Sequence, residues 1–500
     1  MRLADLMHGS ALPARLDGRT LEAAQLAAFE VTGLTADSRR VRPGDLFAAL
    51  PGTKADGRAF IAEAVAKGAV AVLAPEGTTW PPAVPPRPLI LDPDPRRRFS
   101  LMCAAFHGAQ PATVVAVTGT NGKTSTVDFL RQIFAALHDG RAASLGTLGL
   151  IAPGFAPGPV ADHARTPRSL HETLAALARA GIAHAAMEAS SHGLDQRRLD
   201  GVRLAAAAFT TFSRDHLDYH GTMAAYLAAK LRLFEELVLE RGRPVVAPVS
   251  LAAEAMAGLR AAADRRGLAL HTVGRGGSLI DVETEVPHAE GTRLRVRCRA
   301  DRFDLSLPLV GFQAENALTA AALAIVTGAD PAGVFAVLPR LAGVPGRIER
   351  VAVLANGASV YVDYAHTPDA IAALLAALRP HCRGRLTLVF GAGGDRDPGK
   401  RAPMGEAACA ADRVIVTDDN PRSEDPASIR AAVRAGCPNA EEIGDRAAAI
   451  AAAIAGLGPG DVAVIAGKGH EQGQIVGDHV IPFDDAAVAR DAAERLGGRR

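Results

Sequence analysis

Hydrophobic positions along the chain gather into short unbroken runs separated by amphipathic stretches. The clearest run, TVVAVT at 113–118, is β-branched and ends in GTNGKT. After it, STVDFLRQIFAALHDG spaces its apolar residues three and four apart, which predicts a helix that Gly140 stops. Strand, glycine loop and helix thus follow one another directly. Two further strand-like runs, AHAAMEAS (183–190) and RLAAAAFTTF (203–212), precede the helical pattern MAAYLAAKLRLFEEL (223–237). Beyond the turn-rich GVPGR (343–347) the alternation resumes, with strand candidates SVYVDY (359–364), RLTLVFG (385–391), RVIVTDD (413–419) and DVAVIAG (461–467). Such alternation predicts mostly parallel sheets covered by helices. Nearer the amino terminus, DLFAAL (45–50) and GAVAVLA (68–74) read as strands around a helix, AFIAEAVAKG (59–68). The proline-rich TTWPPAVPPRPLILDPDP (78–95), which carries Trp80, reads as an extended surface connection. No repeat of 20–50 residues emerges, and alanine enrichment blurs the helical period in RAAAIAAAIAGLG (446–458). The pattern is that of an α/β chain with three units, at 1–110, 111–342 and 343–500.

Composition adds constraints. At 500 residues the chain exceeds the roughly 250–300 at which one core stops growing, in keeping with several domains. A hydrophobic fraction of 48% and a charged fraction of 22% are globular values that exclude a disordered or fibrous chain. The net charge of +1 gives no general field for nucleic acid or an anionic membrane, so an anionic ligand must be held by local chemistry. The five cysteines, Cys103, Cys298, Cys382, Cys409 and Cys437, are scattered and contain no CxxC pair, which suits a reducing cytoplasm better than a disulfide framework or a structural zinc site. The amino-terminal apolar run is broken by Asp5 and His8, and no stretch matches a membrane span. A soluble, unprocessed, cytoplasmic chain is expected.

Three places carry candidate chemistry. Gly119, Thr120, Asn121, Gly122, Lys123, Thr124 and Ser125 sit where a strand gives way to a helix, so backbone N–H groups and the helix dipole can hold phosphate oxygens. Lys123 would reach the terminal phosphates and Thr124 a Mg2+ ion. Val117 stands where the longer phosphate-loop pattern has glycine, so the loop is a short variant, and a plain glycine turn is the alternative. In MAAYLAAKLRLFEEL the stripe Met223, Tyr226, Leu227, Leu231 and Phe234 has Lys230 at its missing position. A buried lysine loses its charge and can react with CO2 to form a carbamate, whereas a lysine at the stripe's edge would only snorkel. Just upstream, SRDHLDYHG (213–221) crowds Asp215, His216, Asp218 and His220, and Glu188 ends a strand where doubly wound sheets place ligands. A metal site and a strand-end cap both fit Glu188.

Taken in order, TGTNGKTS (118–125), MEASSHG (187–193), SRDHLDYHG (213–221), DYAHTPD (363–369), GAGGDRDPGKR (391–401), TDDNPRSEDP (417–426) and AGKGHE (466–471) resemble the motifs of the Mur ligases, over residues 34 to 485. The resemblance implies an amino-terminal UDP-binding unit, a central P-loop ATPase with a parallel sheet and a carboxy-terminal Rossmann-like unit that takes the incoming amino acid. It implies an ATP-dependent, ADP-forming ligase working through an acyl phosphate, with UDP-N-acetylmuramoyl-L-Ala-D-Glu as acceptor and no nucleic-acid or membrane partner. By motif, Thr124 and Glu188 hold one Mg2+, and Glu188, His216 and carbamylated Lys230 (N6-carboxylysine) hold a second. Asn316, Arg347 and Asp363 match contacts to adenine, phosphate and ribose. Ser38, Thr53, Lys54, Ala55, Thr166, Pro167, Ser190, Gln196 and Arg198 match positions around the UDP-muramoyl dipeptide. A monomer is expected.

The added amino acid is read from DDNPR. Arg422 offers a bidentate partner for a distal carboxylate, which meso-diaminopimelate has and lysine lacks. With the resemblance, Arg396, Asp419, Asn420, Pro421, Arg422, Gly467 and Glu471 form the diaminopimelate set, Glu471 pairing with the distal ammonium. A buried guanidinium there would reject lysine. Thr211, Arg165, Ala392 and the segment after Val246 depart from the usual family pattern. The rival readings are a lysine-adding ligase, a folate polyglutamate ligase and a non-catalytic nucleotide-binding regulatory protein.

Overall fold

A computed structural model of the chain describes residues 1–7, 14–52, 55–156 and 166–499. Two compact units emerge, residues 1–127 with 134–271, and residues 128–133 with 272–500. Among the described residues no helix is long and apolar enough to cross a membrane.

The first unit contains a six-stranded sheet in the order Arg19–Thr20, Ala14–Leu16, Leu89–Asp92, Ala71–Pro75, Asp45–Ala48, Gly33–Thr35. Its last four strands run parallel, and Ala14–Leu16 pairs antiparallel with Leu89–Asp92. The proline-rich connection is therefore shorter than the sequence suggests, because its apolar Leu89–Asp92 segment joins the sheet and Pro95 already starts a helix, Pro95–His107. The expected helix at 59–68 begins as a 3-10 turn, Gly57–Phe60, before the α-helix Ile61–Ala66. Its entry is fixed by Asp56, whose carboxylate accepts from Arg58 N.

The second sheet is built around Thr113–Thr118, buried on both faces as an unbroken β-branched run must be. His184–Glu188 and Leu204–Phe209 flank it in parallel, followed outward by Ala142–Gly146 and by Pro244–Pro248. Among the described residues of this part, only Gly149–Ile151, beyond Ala142–Gly146, runs antiparallel. Helix Lys123–Leu137 follows the glycine loop as expected, and Gly140 N donates to Ala135 O past its end. The helix expected over 223–237 changes character midway: Met223–Arg232 is α-helical, and Leu233–Leu237 forms a π-turn. Arg232 anchors the junction. Its guanidinium is buried, donates to Asp200 at 2.6 Å and to Leu194 O at 2.7 Å, and reaches Glu236 at 2.9 Å.

In the second unit, Ile280–His288, Gly291–Cys298 and Asp301–Leu307 form an antiparallel meander. A separate six-stranded sheet in the same unit orders Glu349–Val353, Ser359–Asp363, Val462–Ala466, Leu386–Phe390, Arg413–Val416, Glu441–Glu442, parallel except for the first strand. One face packs on helices Pro368–Leu378 and Arg401–Ala408, the other on Arg446–Ala455 and Asp485–Glu494. A separate hairpin, Gly473–Val476 with His479–Pro482, follows the Val462–Ala466 strand. The chain is α/β, as its pattern predicts, with three main sheets.

Candidate active site

Parallel strands end on one edge, so the loops after Thr118, Gly146, Glu188 and Phe209 converge. Gly119 has φ +149°, and a Cβ there would lie 2.0 Å from Thr210 Oγ1, which is why the turn requires glycine. Gly122, at φ +83°, ends the loop in the left-handed region and starts the helix at Lys123. The loop is braced from beside it. Thr210 Oγ1 donates to Asn121 O at 2.6 Å, and Thr211 Oγ1 accepts from Asn121 N at 2.8 Å. Thr211, a departure from the family pattern, thus has a defined structural task. Lys123 Nζ donates to Gly119 O at 2.9 Å and Thr120 O at 2.8 Å.

Glu188 is the last residue of its strand and receives three donors. Oε1 accepts from Thr124 Oγ1 at 3.0 Å and from Thr147 N at 2.6 Å, while Oε2 accepts from Thr147 Oγ1 at 3.1 Å. Thr124 and Glu188 are therefore brought together, and Thr147, which no sequence motif marks, orients the carboxylate with two groups. Lys230 is 1% exposed, as a core-facing stripe position requires. Its Nζ donates to Gly119 O at 2.7 Å and lies 4.4 Å from the Tyr226 ring centroid. Burial first, and then the charge of Lys123, hold its pKa well below the usual 10.5, while Asp215 pulls the other way.

His216 stands at φ +51°, and its N–H donates to the Asp215 carboxylate at 2.9 Å. Its ring lies 4.9 Å from that of His192 and 6.1 Å from that of Tyr226. Tyr226 thus lies against both Lys230 and His216, but no hydrogen bond joins His216 to Glu188 or Lys230. Among the described residues no group of three or more His, Cys, Asp or Glu could hold a metal ion. Thr124 and Glu188 supply the two oxygen donors that are already adjacent.

The residues matched to the UDP-muramoyl dipeptide are spread over the first unit. Thr53, Lys54 and Arg165 lie outside the described residues. Ser38 is buried and donates to Glu63 at 3.2 Å. Ala55 O accepts from Gly52 N at 3.0 Å. Thr166 caps helix Pro167–Arg179 and Ser190 caps the short helix Ser191–Asp195. Arg198 Nη2 donates to Gln196 Oε1 at 2.6 Å, Gln196 Nε2 donates to Tyr219 OH at 3.2 Å, and Tyr219 OH donates to Asp195 at 2.7 Å. Gln196 and Arg198 are thereby coupled, through a tyrosine that pattern alone does not distinguish.

In the second unit, Asn316 and Gln313 share one turn of helix Gln313–Val326. Asn316 Nδ2 donates to Gln313 Oε1 at 3.1 Å, and Gln313 Nε2 donates to Arg347 O at 2.6 Å. A cavity of about 230 Å3 opens beside them, lined by Gln313, Arg347, Ile348 and Tyr361 among others. The Arg347 guanidinium stacks 4.5 Å from the Tyr364 ring centroid. Asp363 accepts from Ile348 N and Ala365 N, each at 2.8 Å, and burial raises its pKa against the pull of Arg347.

The carboxyl edge of the third sheet gathers the diaminopimelate set. Arg422 sits at φ +53°, in the left-handed region, and is held there from both sides: its N–H donates to Ile475 O at 3.0 Å, and its carbonyl accepts from Gly477 N at 2.7 Å. Its Nη1 donates to Gly394 O at 2.7 Å. The guanidinium is half-buried rather than buried as the sequence reading expected, because the loop carries it at the sheet edge. Arg396 is exposed, and Asp419 is buried, with its carbonyl accepting from Gln474 Nε2 at 2.7 Å. Pro421 O accepts from Glu424 N. Gly467, at φ +115°, passes so close to Asp419 that a Cβ would lie 2.6 Å from Oδ2. Asn420 Nδ2 donates to Glu471 Oε2 at 3.1 Å. Beneath them, Arg446 is fully buried, pairs with Asp485 at 2.7 Å and donates to Ala466 O at 3.0 Å.

Known proteins share this architecture. Residues 30–91 match the profile of the Mur ligase family catalytic domain, 117–324 that of the Mur ligase middle domain, and 346–469 that of the Mur ligase glutamate ligase domain. A UDP-N-acetylmuramoyl-L-alanyl-D-glutamate–2,6-diaminopimelate ligase of Caulobacter vibrioides is 52% identical over 474 residues, covering 93% of this chain and 96% of that protein. One from Rhizobium meliloti is 50% identical over 100% of both. A solved structure of a ligase of that name matches with a TM-score of 0.72 at 32% identity, over 99% of each chain. A folylpolyglutamate synthase of Mycobacterium tuberculosis, at 21% identity and a TM-score of 0.59 over 74% of this chain and 91% of its own, shares the fold alone.

Proposed function

Because this chain belongs to the Mur ligase family, we propose that it is the ATP-dependent, ADP-forming ligase that joins meso-2,6-diaminopimelate to UDP-N-acetylmuramoyl-L-alanyl-D-glutamate in peptidoglycan precursor synthesis. The observation that carries this reading is the match at half identity over the whole of both chains to a ligase of that name. Asn420 and Glu471, hydrogen-bonded to each other, and Arg422, two residues along the chain from Asn420, support the choice of amino acid. The enzyme acts as a cytoplasmic monomer, with residues 1–110 serving the UDP group, 111–342 ATP and 343–500 the amino acid.

The γ-phosphoryl group of ATP passes to the glutamate γ-carboxylate with loss of ADP; the amine of diaminopimelate then attacks the acyl carbon, and phosphate leaves as the amide forms. A carboxylate is a poor electrophile, so the work is positioning and charge compensation. The backbone N–H groups of 119–125 and Lys123 cradle the phosphates. Asn316, Arg347 and Asp363 serve adenine, phosphate and ribose. Ser38, Thr53 to Ala55, Thr166, Pro167, Ser190, Gln196 and Arg198 serve the UDP-muramoyl dipeptide. Thr124 and Glu188, hard oxygen donors in contact, suit Mg2+ and would hold one ion. Glu188, His216 and Lys230 would hold a second, once the Lys230 amine has added to CO2 and released a proton to leave a carbamate. Held by these residues, such ions would supply positive charge to neutralise the phosphoryl group.

Amino-acid-dependent phosphate release from ATP, measured with the UDP-muramoyl dipeptide, tests the proposal. Release with diaminopimelate and little with lysine is expected. A preference for lysine would reassign the substrate, and no release with either would favour a non-catalytic nucleotide-binding protein.

A further inference from the structure

Lys468 is 0% exposed, yet it has no place in the nucleotide, metal or amino-acid contacts described above. A buried ammonium is costly unless its N–H groups are bonded. Its Nζ donates to Asn420 Oδ1 at 3.0 Å and to Glu471 Oε2 at 3.3 Å. Both partners belong to the proposed diaminopimelate set.

These bonds fix more than position. Asn420 Oδ1 also accepts from Ile475 N at 2.9 Å, so two donors converge on that oxygen and the amide cannot turn over without losing both. Nδ2 is thereby directed at Glu471, whose Oε2 takes it as a second donor beside Lys468. With Oε2 committed twice, Oε1 carries no hydrogen bond within the described residues and is the oxygen left for a ligand. Resting on the proposed function, we infer that Lys468 is a positioning residue for amino-acid selection: from beneath, it turns Asn420 and Glu471 so that Glu471 Oε1 receives the distal ammonium of diaminopimelate. Arg422, on the opposite segment, then reads the distal carboxylate, and two separate devices recognise the two distal groups.

The test compares Lys468→Met and the gentler Lys468→Gln, which keeps one donor for Asn420, with diaminopimelate and with 2-aminopimelate, which lacks only the distal ammonium. Loss of a charged hydrogen-bond partner predicts that Lys468→Met lowers kcat/KM for diaminopimelate about tenfold or more. The loss for 2-aminopimelate should stay within about threefold, KM for ATP should not move, and Lys468→Gln should fall between. Equal losses with both amino acids, unchanged kinetics, tighter diaminopimelate use, or failure of both variants to accumulate as folded protein would overturn the inference and assign Lys468 to the framework. Wild-type protein without diaminopimelate-dependent phosphate release would overturn the proposed function itself, and the inference with it.

Discussion

Replacing Arg422 by alanine isolates a single interaction unusually well. The residue sits at φ +53°, where arginine and alanine, both unbranched at Cβ and unable to bond their own backbone there, bear a similar cost, so alanine adds no strain that arginine lacks. The backbone bonds to Ile475 and Gly477 do not involve the side chain and survive the change. What disappears is a half-buried guanidinium with one N–H committed to Gly394 O and the rest of its fork available to a carboxylate. A hydrogen-bonded charge of this kind contributes about 1.5–3 kcal/mol, and partial exposure favours the lower half, so about 2 kcal/mol and roughly a 30-fold fall in kcat/KM for diaminopimelate are expected. Lysine has no distal carboxylate, so its small rate should hardly change and the preference should shrink by the same factor. Phosphate release at saturating ATP and UDP-muramoyl dipeptide measures both. A diaminopimelate value within threefold of wild type, or a parallel fall for lysine, would refute the reasoning.

Other perturbations reach different parts of the molecule. Thr147→Val removes the Oγ1 bond to Glu188 but keeps the backbone donor, and should raise the Mg2+ concentration for half-maximal activity about tenfold, with Thr147→Ser near wild type in the same titration. His171 is buried against Asp200 O, and burial pushes its pKa down to about 4 from 6.5. The unfolded chain then binds a proton that the folded chain refuses, so stability present above pH 6.5 is lost as pH falls to 4, by about 3 kcal/mol. Urea midpoints of His171→Gln should show a shallower acid decline than wild type; equal slopes would contradict it. In decarbamylated protein Lys230 shows the same sign: the folded pKa of its free amine is lowered, so its contribution makes stability rise with pH between that lowered value and 10.5, and Lys230→Met should flatten the rise. Activity indifferent to bicarbonate after decarbamylation at low pH would count against the carbamate.

Much of the fold follows from local pattern. Thr113–Thr118 is the strand that its β-branched run predicts, and the stripe around Lys230 packs on the core, with Tyr226, Lys230 and Phe234 buried and Met223, Leu227 and Leu231 partly so. The misses have physical causes. Leu233–Leu237 widens into a π-turn where Arg232 is drawn onto Asp200, a residue more than 30 positions away that no helical period can reveal. Gly291–Cys298 alternates buried and exposed residues in RLRVRC, a readable strand signal that lies outside the β–α alternation used elsewhere. At the site, motifs mark candidate ligand residues more readily than the residues that orient them. Thr124 and Glu188 are legible; Thr147 and Tyr219 emerge only when the chain folds, because a threonine in a turn and a tyrosine in the four-residue helix Leu217–His220 carry no period. The exposure of Arg422 is set by the sheet edge, which the DNPR motif does not encode.

The Gly473–Pro482 hairpin has a consequence for redesign. Four bonds tie Gln474–Gly477 to Asp419–Arg422, through Gln474 Nε2 to Asp419 O, Ile475 N to Asn420 Oδ1, Arg422 N to Ile475 O and Gly477 N to Arg422 O. On the proposed assignment of these residues, the determinants of amino-acid choice form a cassette of two strips of chain some 50 residues apart. Exchanging the DNPR strip alone between ligases of different preference would leave it on a foreign template, whereas moving both strips together carries the instruction and the scaffold that enforces it.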